Sequence, residues 1–118
     1  MKIREVCNLL NAQVLAREDL LDNEIYSAFG SDLMSDVLTF AHGRMALLTG
    51  LNSPQVIRTA EMSDIPLIIF VRGRNLSQNI INMAVERSIC LLGTEYIMYE
   101  ACGKLYEAGL PPCTRLHP

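Results

Sequence analysis

The chain has 118 residues, half of them hydrophobic and 19% charged, with a formal net charge of −3 at pH 7. That length sets a single compact domain able to bury its own core, and the composition excludes a disordered chain. A slightly negative chain with 6% aromatic residues and no tryptophan excludes a surface built to track nucleic acid. The longest apolar run, residues 65–71, is far shorter than the roughly 20 residues a membrane span takes.

The opening string Met1-Lys2-Ile3-Arg4-Glu5-Val6-Cys7 mixes charge with apolar residues and carries no signal-peptide run, so a cytoplasmic location is the expectation. The four cysteines form neither a Cys-x-x-Cys pair nor a zinc-like spacing. Cys7, Cys90 and Cys102 therefore read as small core residues, and Cys113, in a proline-rich tail, as an exposed thiol.

In chain order, Ile3, Val6, Cys7 and Leu10 recur at helical spacing while Lys2, Arg4 and Glu5 face outward, which predicts a short opening helix broken at Asn11. Residues 13–16 follow as a short extended segment. Residues 25–29 form a strand on their β-branched and aromatic content. Gly30-Ser31-Asp32 turns that strand into a helix capped by Ser31 or Asp32, with Leu33, Met34, Val37, Leu38 and Ala41 on one side, ending at His42-Gly43.

From there a unit recurs. Apolar runs at residues 45–48, 66–71 and 89–92 each lead into a glycine turn and then a helix. Ser53-Pro54 opens the first of these helices, with Val56, Ile57, Ala60 and Met62 inward. Ser77 caps the second, with Ile80, Ile81, Ala84 and Val85 inward. The third carries Met98, Tyr99, Cys102, Leu105 and Tyr106 and stops at Gly109, just before Pro111-Pro112. Strands apolar throughout suit a parallel sheet buried on both faces, and each intervening helix supplies the crossover that parallel pairing needs. The expected fold class is α/β, a three-layer α/β/α sandwich around a small, mostly parallel sheet. One domain over residues 1–110 is expected, followed by a flexible tail over 111–118.

Parallel α/β sheets bind ligands at the carboxyl ends of their strands, where helix N-termini converge. Four turns meet at that edge, which makes Ser31, Asp32, Thr49, Gly50, Asn52, Ser53, Arg72, Gly73 and Thr94 the candidate ligand-binding residues. The glycines let backbone approach a ligand, and the amides near Ser53 with Arg72 suggest an anion cradle. The same hydroxyls also serve as ordinary caps. Asp32 and Asp36 share a helix face and, with Thr49, define an alternative metal-dependent transferase or hydrolase. No Gly-x-Ser-x-Gly elbow or phosphate loop of the Gly-x-x-x-x-Gly-Lys-Ser/Thr type occurs, so no catalysis, cofactor or metal is expected. The broad apolar face of residues 95–108 predicts a homodimer.

The strings Ser31-Asp32-Leu33-Met34-Ser35-Asp36-Val37-Leu38, Leu47-Leu48-Thr49-Gly50-Leu51-Asn52-Ser53-Pro54 and Phe70-Val71-Arg72-Gly73 resemble the DRTGG-domain family. The resemblance covers residues 1–110 and implies a stand-alone member, similar in fold to the N-terminal domain of HPr kinase/phosphorylase. Such domains occur beside phosphotransacetylase domains and between paired CBS modules of regulatory pyrophosphatases. Free-standing copies accompany iron-only hydrogenase gene sets. The resemblance thus implies a non-catalytic regulatory module that forms dimer contacts and either takes a small anionic metabolite or nucleotide, or docks on a hydrogenase or another redox or metabolic enzyme. A pure interaction scaffold is the alternative. The five-residue string that names the family is absent: the two turns read Gly50-Leu51-Asn52 and Val71-Arg72-Gly73, with Arg72 restoring a cation nearby.

Overall fold

Apolar runs without alternation belong on strands covered from both sides, and the computed structural model, which describes residues 1–73 and 75–113, places them there. The elements are α1 (Ile3–Leu9), β1 (Gln13–Ala16), β2 (Ser27–Gly30), α2 (Met34–Phe40), β3 (Met45–Thr49), α3 (Pro54–Met62), β4 (Leu67–Phe70), α4 (Gln78–Glu86), β5 (Cys90–Gly93) and α5 (Met98–Glu107). The sheet runs β1-β5-β4-β3-β2. Strands β2 to β5 are parallel, in register through Ala28↔Ala46, Ala46↔Leu67 and Leu67↔Cys90, and β1 runs antiparallel on β5.

Alternation along each strand divides the core. Leu47, Ile68, Phe70 and Leu91 meet α2, α3 and α4, through side chains such as Val37, Ile57 and Ile80. Ala46, Leu48, Ile69, Cys90 and Leu92 meet α1 and α5, through Ile3, Val6, Ala101 and Leu105. Each large side chain buried this way contributes about 1.5–3 kcal/mol. Ser53 and Ser77 cap α3 and α4, accepting from the amides of Gln55 at 3.2 Å and Ile80 at 3.3 Å.

Several local expectations are corrected. Strand β2 starts at Ser27: the Tyr26 amide still reaches the Arg44 carbonyl just before β3, but Ile25 turns away and donates to the Met1 carbonyl. The N-cap of α2 is Leu33, and neither Ser31 nor Asp32 caps that helix. Leu33 and Leu38 stay exposed, since α2 ends its layer over the edge strand. Met62 is 73% exposed, on the side of α3 opposite Val56 and Ala60. In α4, Val85 is exposed rather than inward.

The outer edge of β2 is not bare. Ala28 donates to the Pro111 carbonyl at 3.0 Å and accepts from the Cys113 amide at 2.8 Å, a parallel bridge centred on Pro112. Cys113, expected exposed, is therefore buried, with Sγ 3.6 Å from the carbonyls of Phe40 and His42. The expected tail is held to the sheet at residues 111–113, and its remainder, 114–118, lies outside the described residues. Cys90 is fully buried, and Cys7 and Cys102 are half-buried. Among the described residues no helix is long and apolar enough to cross a membrane.

Candidate functional site

Because β2, β3, β4 and β5 run the same way, the loops that leave them share one edge of the sheet, and side chains tie these loops to one another. Asp32 leaves the β2–α2 loop and reaches β3, where one carboxylate oxygen accepts from Thr49 Oγ1 at 2.9 Å and from the Gly50 amide at 2.7 Å. Thr49, fully buried, accepts from the Leu51 amide at 3.1 Å. Asn52 donates from its side chain to the Asn75 carbonyl at 2.6 Å, joining the β3–α3 loop to the β4–α4 loop. Ser31 is used locally, its hydroxyl accepting from the Leu33 amide at 2.9 Å.

Arg72 follows β4 directly and lies in the left-handed region at φ 67, with Gly73 at φ 60. The Arg72 amide donates to the Tyr96 carbonyl at 2.9 Å and the Gly73 amide to the Thr94 carbonyl at 2.8 Å, fixing a tight turn against the β5–α5 loop. A left-handed arginine carries a backbone cost of about 1 kcal/mol or more. The turn aims the guanidinium back over β3, where it packs on Gly50 in the space a Cβ would take. The Glu95 carboxylate fills the equivalent space at Gly73, which only glycine leaves open at this φ. Arg4, Arg17 and Arg87 pair with Asp22, Asp19 and Glu61, whereas Arg72 is exposed and has no ion-pair partner among the described residues.

Thr94 faces the other way. Its buried hydroxyl donates to the Leu10 carbonyl at 2.7 Å and accepts from the Tyr96 amide at 3.3 Å, which ties the start of α5 to the end of α1. Tyr96 joins this tie: Asn11 donates to its hydroxyl at 3.0 Å, and Lys104 Nζ lies 5.0 Å from its ring centroid. Thr94 is thus an internal clamp, while Arg72, Gly50, Asn52 and Asp32 line the rim.

Sequence reasoning missed a groove of about 310 Å³ between α5 and β2. Three helices cover one face of the sheet and two the other, so β2 is thinly covered beside α5. The floor is Ala28, Gly30 and Leu48, and α5 supplies Cys102, Gly103 and Leu105 as one wall. Tyr99 and Tyr106 stand at the lip, 87% and 69% exposed, and residues 110–112 close the far side. A Cβ on Gly30 would lie 3.0 Å from Cys102 Sγ and 3.2 Å from Met98 Sδ, so the bare glycine lets α5 pack these two side chains directly on the strand. Burial pushes the Cys102 thiol up from its ordinary value, which leaves it neutral at neutral pH. The available signal was the run of small side chains Ser27-Ala28 and Gly30 on a strand facing Gly103. Among the described residues no three His, Cys, Asp or Glu side chains cluster to hold a metal ion, and every buried side-chain polar atom has a partner.

No protein-family model and no curated protein matches the sequence. Among solved structures, the chain is similar to that of the CBS and DRTGG domains of the regulatory region of Clostridium perfringens pyrophosphatase, complexed with its activator diadenosine tetraphosphate. The TM-score is 0.72 at 14% identity over 93% of this chain. The chain spans about half of that protein's chain, 47%. The likeness establishes the fold, a DRTGG-like α/β sandwich.

Proposed function

We propose that this chain is a stand-alone regulatory module of the DRTGG family that binds a small anionic metabolite, foremost a nucleotide, at the rim where β2 to β5 end. One observation carries the proposal: the exposed Arg72 guanidinium is held on Gly50, between the loop clamped by Asp32 and the loop of Glu95, with no carboxylate partner among the described residues. An arginine fixed in this way presents a planar fork to a phosphate or carboxylate. Asn52 lies along the same loop, its side-chain amide donating to the Asn75 carbonyl and keeping a second N–H to offer. The activator of the structurally similar regulatory region is a dinucleoside polyphosphate, which supports a nucleotide here. The module is non-catalytic and cytoplasmic in this reading. Ile97, Tyr99 and Tyr106 on the exposed side of α5 support a protein partner there, either a second copy or a redox enzyme of hydrogenase type or another metabolic enzyme. That face also supports a second reading, a pure interaction scaffold.

Calorimetric titration with ATP, AMP and diadenosine tetraphosphate tests the rim. Arg72→Ala removes a charged hydrogen-bonding pair worth about 1.5–3 kcal/mol, an affinity loss of roughly 10- to 100-fold. Gly50→Ala displaces the guanidinium while leaving the exposed arginine free to move, so affinity falls and stability holds. Equal affinities in the parent and Arg72→Ala proteins would refute the rim and leave the scaffold reading.

A further inference from the structure

Resting on the reading of α5 as a face for a protein partner, we infer that its occupant is a second copy of this chain. The two α5 helices pair antiparallel about a two-fold axis that passes between residues 102 and 103. The first sign is a glycine. Gly103 stands in the middle of α5, where it costs about 1 kcal/mol relative to alanine, yet a Cβ there would meet nothing within 4 Å. No contact inside the fold calls for a bare residue at this point. A second helix crossing α5 closely does, because the side chains at the contact set how near two helix axes come.

Tyrosines flank the gap. Tyr99, Gly103 and Tyr106 follow one another at i, i+4 and i+7, so they form one stripe along the helix, turned away from the buried Ala101 and Leu105. Glu100, Lys104 and Glu107 lie to one side of this stripe. To the other side lies the groove, whose lining carries no charged residue. Pairing along the stripe therefore leaves the charged side chains of α5 at its margin, where they keep their water.

Spacing and area select a second copy. The stripe reads nearly the same in either direction, a tyrosine, a gap and a tyrosine, and a two-fold interface needs a patch complementary to itself. With the axis between residues 102 and 103, each Tyr99 lies opposite the partner's Tyr106, and the two glycines meet one residue apart at the centre. Large aromatic side chains bury about 150–250 Å² each, so four largely exposed tyrosines supply roughly 600 Å². The groove adjoins the seam, since Tyr99, Gly103 and Tyr106 line both, and its apolar walls add to that area. Specific interfaces cover about 1,200–2,000 Å² in total, so this one falls at the low end and dissociates on dilution.

The experiment combines light scattering with cysteine cross-linking. Gly103→Cys and Glu107→Cys are each made in a Cys102→Ala background and oxidised with copper phenanthroline. Helix axes about 8–10 Å apart bring the two residues 103 within the roughly 4–7 Å that a disulfide spans. Two residues 107 are offset by nine residues, about 13 Å along the seam. The parent is expected at twice the single-chain mass at high concentration, falling on dilution. Gly103→Cys should cross-link several-fold more than Glu107→Cys or the background. Gly103→Arg, a better helix former in open space, should keep or raise Tm while giving the single-chain mass. A parent dimer in which Gly103→Cys cross-links no better than Glu107→Cys overturns the axis. One that persists in Gly103→Arg overturns α5 as the seam. A parent that stays at the single-chain mass overturns self-pairing and leaves the face to a different protein, the reading on which this inference rests. None of these outcomes alters nucleotide titrations of the rim, because Arg72 and Gly50 lie outside the stripe.

Discussion

Removing the Asp32 carboxylate tests whether the rim is one mechanical unit. Asp32→Ala leaves two donors without their acceptor: the hydroxyl of Thr49, fully buried, and the amide of Gly50. Hydrogen bonds to a charged group contribute about 1.5–3 kcal/mol each in place, and a buried donor left unmatched bears its full desolvation penalty. The loop bearing Asp32 is exposed, so water replaces the carboxylate for the Gly50 amide, and that bond counts only in part. The expected loss is about 2–3 kcal/mol. For a domain of this size it lowers Tm by about 6–12 °C. Thermal unfolding followed by circular dichroism gives the shift, and a urea midpoint that falls at constant slope confirms that native stability changed. Asp32→Asn keeps an oxygen able to accept both bonds without the charge, and is expected to recover about half of the loss. Because the same bonds fix the loop beneath Arg72, nucleotide affinity should fall in step with stability. An Asp32→Ala protein melting within about 2 °C of its parent would show that the bridge between the first two loops holds nothing together.

Two further outcomes follow from burial and from the apolar side of α5. Burial pushes the Cys90 thiol up to about 12 from an ordinary 9.0. Between those values the unfolded chain loses the thiol proton and the folded chain keeps it, so this contribution is complete below about pH 9 and disappears as pH rises toward 12. Urea midpoints measured from pH 7 to 10.5 should fall above pH 9 and fall less in Cys90→Val, and a Cys90 that alkylates in the native protein at the rate of a free thiol contradicts its burial. On α5, light scattering at about 100 μM should report twice the 13.2 kDa chain mass, reverting to the single-chain mass in a Tyr99→Ala/Tyr106→Ala double variant. A parent that stays at the single-chain mass removes the second copy as the partner of that face.

What the chain alone determined is local. Uninterrupted apolar runs at residues 45–48, 66–71 and 89–92, each followed by a glycine turn, suit strands covered on both faces, and Ser53-Pro54 and Ser77 mark helix starts because a side-chain oxygen satisfies an amide two or three residues on. Parallel strands follow from the helices between them, and with parallel strands the four glycine-bearing turns come to one edge. That much of the candidate rim was legible, Arg72 included, since a charge directly after Ile68-Ile69-Phe70-Val71 has to emerge at the strand end.

The tertiary structure decided which of those residues face outward. Asp32 could have capped its own helix, and instead bonds Thr49, 17 residues on, because β2 and β3 are neighbours in register. Thr94 resembled Thr49 in sequence, yet its hydroxyl turns in to the Leu10 carbonyl, 84 residues away, because β1 is laid antiparallel on β5 and brings the end of α1 alongside. The groove needs β2 at the sheet edge, α5 crossing the thinner helical layer and residues 110–112 returning along Ala28. Caps and burial periodicity depend on residues within a turn or two of each other. Strand order, and every surface made from the two ends of the chain, depends on which layer closes over which, a choice settled by the packing of the whole core.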